Sequence, residues 1–177
     1  MPATIENSEH VTTGYHGTLL KSAEEIVRTQ FKMSAPDSGA YLGMGVYFFD
    51  NQPSHARRWA RRGLAPGSQV AVIASDVKYG RLLNLTDKQH CDDLAWFKRE
   101  YERKTQTPVS FAAAVDIAAE KLNVDVVKAN RVPGNPTPRY SSGLMDLGFS
   151  ADVEMILAVR NLSNILSKDL VWSGLVE

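Results

Sequence analysis

Three short segments hold the residue types that could do chemistry. Tyr15-His16-Gly17-Thr18 sets an imidazole beside a glycine at the end of a stretch rich in β-formers. Tyr41-Leu-Gly-Met-Gly-Val-Tyr47-Phe-Phe-Asp50 runs through two glycines into an aromatic strand that ends on a carboxylate. Asp152-Val-Glu154-Met-Ile-Leu-Ala-Val159 places a glutamate at the head of an apolar run. A charged carboxylate beside Met155, Ile156 and Leu157 is costly to desolvate unless it is paired or faces a cleft. An exposed strand edge would also hold it. Read singly, His16 equally fits a hydrogen-bonded core residue, and the two glycines fit a turn. The four histidines (His10, His16, His55, His90) are dispersed and His90-Cys91 lacks ligand spacing, so no metal site is expected. No Gly-x-Gly-x-x-Gly opens a helix, which leaves hydride transfer on a dinucleotide fold without support.

The elements that must position these residues follow from local pattern. Val11–His16 reads as a strand, and Ser22-Ala-Glu-Glu25 matches a capping box at the start of a helix. Val46–Phe49 reads as a strand, and Asn51 and Pro53 suit the start of a second helix. Gln69–Val77 and Arg81–Leu85 read as two strands. Thr86-Asp-Lys-Gln89 repeats the capping-box pattern and opens a helix to about Lys104. Another helix starts at Pro108, with Phe111, Val115, Ala118, Ala119 and Leu122 on one face. Val124–Val127, Val153–Val159 and Ile165–Trp172 read as later strands. This order lacks the regular βαβ alternation of a parallel sheet, so the expected class is α+β with a largely antiparallel sheet.

Composition narrows the setting. The 177 residues carry 20 Lys+Arg and 20 Asp+Glu, so bulk charge does not hold this chain to nucleic acid, while a local basic face stays open. One cysteine, Cys91, excludes an intrachain disulfide and a Cys-rich zinc site. No apolar run approaches the roughly 18 residues that span a membrane. Met1–His10 is polar and does not read as a secretory signal, so a cytoplasmic protein with no membrane partner is expected.

Together and in this order, the three segments resemble the motifs of the His-Tyr-Glu class of ADP-ribosyltransferases, which includes diphtheria-toxin-like enzymes and poly(ADP-ribose) polymerase catalytic domains. His16-Gly17-Thr18 looks like the first motif. Gly43-x-Gly45-Val-Tyr47-Phe followed by Asp50 looks like the second, and Glu154 before a hydrophobic strand looks like the third. The likeness covers roughly Tyr15 to Val77 and Asp152 to Trp172. It implies a single domain over 1–177 with a split antiparallel β core and a helical insertion over 86–130. It also implies NAD as co-substrate, with no metal. Glu154 would bond a hydroxyl of the nicotinamide ribose and stabilise the positive charge that develops there as the C–N bond breaks. Tyr47 would be one stacking wall for the nicotinamide. Trp59 would be the other, one residue later than the family spacing, which falls on Arg58. Gly17 would let the backbone approach the carboxamide, and His16 would donate to a ribose hydroxyl. Thr18 and Ser54 would add cofactor contacts.

The acceptor would be a macromolecule, protein or nucleic acid. Arg57, Arg58, Arg61 and Arg62 share one side of their helix and read either as a solvated face or as a phosphate-binding surface. Tyr140, Ser141 and Asp152 lie in the segment that such enzymes turn towards the acceptor. The residue two before the glutamate is Asp152, where Arg-modifying toxins carry Glu, so no Arg preference carries over. The small size fits a bacterial or phage toxin or defence enzyme, whose producer would need an inhibitor or antitoxin protein. The alternatives are an NAD glycohydrolase, a non-catalytic NAD- or ADP-ribose-binding module, and an RNA 2'-phosphotransferase, which Tyr47 with Glu154 fits poorly.

Overall fold

The structure, a computed structural model, describes residues 5–35, 40–131 and 153–177. Its elements run β1 (Glu6–Leu19), α1 (Leu20–Arg28), β2 (Val46–Asp50), α2 (Pro53–Arg61), β3 (Gln69–Asn84), α3 (Lys88–Thr105), α4 (Phe111–Leu122), β4 (Val126–Arg131), β5 (Glu154–Val159) and β6 (Asp169–Leu175). The α+β class is as expected, and all strand pairs but β3–β4 are antiparallel.

Two ladders carry most of the pairing: β1–β3–β6, and β2–β5–β4. Two short seams join them into a closed mixed barrel. On one side only Gly14↔Asp50 and Tyr15↔Phe49 pair β1 with β2. On the other, β3 and β4 pair over Leu82–Asn84. Beyond Tyr15 the strands β1 and β2 have no further pairs, so the closed sheet opens between His16 and the start of β2.

Alternation at period two sorts the side chains of the second ladder. Val46, Phe48, Val126, Leu157 and Val159 turn inward and meet Ile73, Val77 and Leu82 of β3, with Ala23 of α1 and Phe31 in the same cluster. Phe49, Val127, Ala129, Ile156 and Ala158 turn outward, where Leu94 of α3, Val115 and Ala118 of α4, and Ala56 of α2 cover them. The helices after Thr86 thus cover one face of the site-bearing ladder. The expected helical stretch 86–130 also contains β4, a full barrel strand, because its Val126, Val127 and Ala129 complete both cores.

Other local expectations shift for tertiary reasons. β1 stays paired with β3 through Leu19, so α1 begins at Leu20 and Ser22 falls inside it, with no side-chain cap at Leu19. The two strands read from Gln69 to Leu85 are one, passing Gly80 at φ 61. In α3 the cap is Asp87, whose carboxylate accepts from Gln89 N and His90 N, while Thr86 Oγ1 donates to Asn84. Pro53 opens α2 as expected. No helix among the described residues is long and apolar enough to cross a membrane.

Candidate active site

A cavity of about 370 Å³ opens where β1 and β2 part. His16 and Gly17 line it from β1, and Tyr47, Phe48 and Phe49 from β2. Ile156 of β5, Arg131 of β4, Trp59 of α2 and the loop residues Ala40 and Tyr41 close it. Thus His16, Gly17, Tyr47 and Trp59 meet at one cavity, although they come from three elements. Thr18 does not line it, and neither does Ser54, which is exposed in the first turn of α2.

His16 is fixed by one bond of 2.8 Å between its Nδ1 and the Tyr47 carbonyl. A carbonyl only accepts, so Nδ1 carries the proton. Burial holds the imidazole below the ordinary histidine pKa, against the opposing pull of that carbonyl. The ring is therefore neutral at pH 7, packed edge-on to Phe31 and Phe48, with Nε2 as a lone-pair acceptor. The donor role expected of His16 towards a ligand is reversed by this tautomer.

Tyr47 anchors the loop before its own strand. Its hydroxyl donates to Gly43 O at 2.6 Å and accepts from Leu42 N at 2.7 Å. Burial pushes its pKa up to about 12, so it stays a phenol. The same loop is tied to α4 and to Arg160, the residue after β5. Asp116 Oδ1 accepts from Met44 N at 2.8 Å and from Arg160 at 2.5 Å, while Arg160 also donates to Met44 O at 2.9 Å. Gly43 has φ 76, and an added Cβ would lie 2.2 Å from Asp116 Oδ1, so this turn requires glycine. These ties hold Tyr41 at the cavity, with its hydroxyl donating to Asn130 O at 3.1 Å.

Glu154, 4% exposed, heads β5 directly opposite Arg131 in the β4–β5 register. Arg131 donates to Glu154 Oε2 from Nε at 2.8 Å and from its Nη2 at 2.7 Å. Oε1 faces the Arg58 guanidinium at 3.9 Å, beyond hydrogen-bond range. Arg131 lines the cavity and Glu154 does not, so the expected glutamate lies behind that guanidinium rather than in the cavity wall. Arg131 also lies over the rings of Trp59, at 5.3 Å, and Tyr41, at 5.8 Å. Gln52 places the glutamate by extending the β2–β5 ladder with its side chain: Nε2 donates to Val153 O at 2.9 Å and Oε1 accepts from Met155 N at 2.8 Å.

No family model matches the chain, and no curated protein matches it in sequence. Among solved structures it aligns with a chain of the crystal structure of the M. tuberculosis MbcT–MbcA toxin–antitoxin complex. The TM-score is 0.46 and the identity 15%, over 96% of this chain and 86% of that one. The chemistry of the site therefore rests on its own geometry.

Trp59 is 42% exposed and tilted against Phe49 at 6.3 Å, so it is a cavity wall rather than a packing residue of α2. Arg58, at the position where the family spacing puts the aromatic, turns to Glu154 instead. Gly17 has a structural cause: an added Cβ would lie 2.1 Å from Ala56 O and 3.1 Å from Ala60 Cβ, so glycine lets α2 approach β1. Gly17→Ala is expected to cost about 1–3 kcal/mol through overpacking against backbone, read as a lowered melting temperature. Unchanged stability would show that α2 can yield. Tyr140, Ser141 and Asp152 lie outside the described residues.

Pattern reading missed Arg131, Tyr41, Gln52, Asp116 and Arg160. Tyr41 opens the glycine segment and was within reach of it. Arg131 emerges only from strand register. Among the described residues no group of His, Cys, Asp and Glu could hold a metal ion.

Proposed function

We propose that the protein is an NAD-dependent ADP-ribosyltransferase of the His-Tyr-Glu type, which cleaves the nicotinamide–ribose bond and passes ADP-ribose to a macromolecule. The observation that carries this reading is the meeting of His16, Tyr47 and Trp59 around one apolar, aromatic-walled cavity, also lined by Arg131, the partner of Glu154. Its volume, about 370 Å³, lies at the lower end of small-molecule sites and suits the nicotinamide–ribose half of NAD. The rings of Tyr47 and Trp59 offer π faces to a flat aromatic cation at about 0.5–2 kcal/mol per contact.

On bond cleavage the ring becomes neutral nicotinamide and positive charge grows on the ribose. A carboxylate beside the ribose gains interaction energy as that charge grows, which is the requirement for rate acceleration. Glu154 fills this role, with Oε1 towards a ribose hydroxyl while Oε2 stays with Arg131. The neutral His16 accepts a hydrogen bond from a ribose hydroxyl at Nε2, and its bond to the Tyr47 carbonyl keeps the ring from turning. A toxin or defence role, with an inhibitor protein in the producing cell, belongs to the same proposal.

The test is incubation of the purified protein with labelled NAD and cell lysate, following nicotinamide release and the fate of ADP-ribose by mass spectrometry. Release with a protein or nucleic-acid adduct supports transfer. Free ADP-ribose alone makes the protein a glycohydrolase, and no release under any condition leaves a binding module. Tyr47→Ala is expected to weaken NAD binding by about 1–2 kcal/mol, roughly 5- to 30-fold in Kd, from the lost ring face. An unchanged titration removes Tyr47 from the pocket.

A further inference from the structure

Several cations of the protein are matched by carboxylates. Lys32 pairs with Glu25, Lys78 with Glu9, Lys98 with Glu102, Arg103 with Glu100 and Arg160 with Asp116. Arg57, Arg61 and Arg62 have no ion pair among the described residues. The helix sequence Pro53–Arg61 contains no acid, and the nearby Glu154 is already engaged by Arg131 and Arg58.

These guanidiniums are nonetheless ordered, by aromatic rings. Arg57 and Arg61, one helical turn apart, lie over the half-buried Trp172 of β6 at 5.3 and 5.0 Å. Arg62 lies over Trp59 at 5.3 Å. A guanidinium held over an indole is partly pre-positioned and loses less entropy on gripping phosphate. Three exposed guanidiniums without ion pairs among the described residues gather positive charge along α2 and its C-cap on a chain whose net charge is zero. This charge borders the cavity, since Trp59, which carries Arg62, is a cavity wall.

We propose that the Arg57–Arg61–Arg62 face of α2 docks the phosphate backbone of a nucleic-acid strand; resting on the reading above, that strand is the ADP-ribose acceptor. Charge complementarity favours a polyanion, and the guanidiniums favour phosphate, which they grip in a bidentate way. Docked there, a strand would lie beside the mouth of the cavity.

The test measures binding directly, without NAD, so that its outcome is separate from nicotinamide release. Single-stranded DNA, single-stranded RNA and a DNA duplex are titrated by fluorescence anisotropy across a salt series, with polyglutamate as a competing acidic polymer. Three phosphate contacts predict a slope of about −2 in log K against log salt for a single strand. Arg57→Gln with Arg61→Gln should reduce that slope by about 1.4, Arg57→Lys with Arg61→Lys should preserve it, and the exposed, ion-paired Arg103→Gln should not change it. Binding of any of the nucleic acids with this pattern supports the proposal. It is overturned by the absence of salt-dependent binding, by binding indifferent to the α2 substitutions, or by equal binding of polyglutamate, which would make the face a surface for acidic proteins. Binding without nicotinamide release would sink the transferase reading and leave the surface standing.

Discussion

Glu154→Gln is expected to abolish nicotinamide release while leaving the fold and NAD binding in place. The substitution keeps the shape and an oxygen for Arg131, and removes only the charge that meets the developing ribose cation. Loss of one such preorganised electrostatic group costs about 10²–10³ in kcat, or roughly 3–4 kcal/mol. Alanine is a poorer probe. It would strand Arg131, whose side chain is only 16% exposed, and removing one partner of a buried pair costs about 3–5 kcal/mol of stability. The measurement is kcat and KM for nicotinamide release beside a melting curve and an NAD titration. Turnover by the Gln variant near that of the unmodified protein would end the assignment of Glu154.

Asp50→Ala is expected to be the most destabilising single change outside the cavity. Asp50 lies where the two ladders are stitched, and its carboxylate collects partners from three other strands. Thr12 of β1 donates to Oδ1 at 2.5 Å, Tyr79 of β3 to Oδ2 at 3.0 Å, and Lys128 of β4 to Oδ2 at 2.8 Å. Lys128 also donates to Tyr79 Oη at 2.9 Å, and Asn51 Nδ2 donates to Thr12 Oγ1 at 2.8 Å. Removing the carboxylate leaves the Lys128 ammonium, 18% exposed, without its counter-ion, at a cost of about 3–5 kcal/mol. For a chain of this length that is a fall of about 10 °C in melting temperature. A fall of less than a degree or two would show that the seam does not depend on this network.

The same network fixes a pH dependence. Burial pushes the Asp50 carboxyl pKa up, but hydrogen bonds from Lys128 and Thr12, the Lys128 charge and the Tyr79 hydroxyl outweigh it and bring the value below the ordinary aspartate range. A carboxyl depressed in the folded state contributes stability that is fully present above its unfolded pKa, near 3.9, and is lost as pH falls through the folded value. The stability gap between the unmodified protein and Asp50→Asn should therefore narrow in acid, below about pH 4. A constant gap from neutral pH down through that window would separate Asp50 from the acid response. His16 acts in the same direction from a higher pH: burial lowers its pKa in the folded state, so protonation below about pH 6.5 favours the unfolded chain.

Much of the local framework was legible in the residues alone. Proline at the first turn announced α2, an aromatic run and an apolar run announced β2 and β5, and the order of strands and helices announced an α+β protein. Those signals are local: φ restriction and β propensity act within a few residues. The gathering of His16, Tyr47, Trp59 and Glu154 was expected on the strength of motif order, and the first three line one cavity while Glu154 does not.

Tertiary structure decided the rest. Arg131 pairs with Glu154 because burial of Val127, Ala129, Ile156 and Ala158 on one face locks the β4–β5 register, and a slip of one strand by one residue would put the two charges on opposite faces. Gly17 answers to the carbonyl of Ala56, which only the docking of α2 brings near. The turn at Gly43 answers to Asp116, more than seventy residues away in sequence, and the tautomer of His16 is set by a carbonyl on another strand. Such contacts carry no local pattern, because the free energy that forms them is the burial of apolar surface shared by strands distant in the chain.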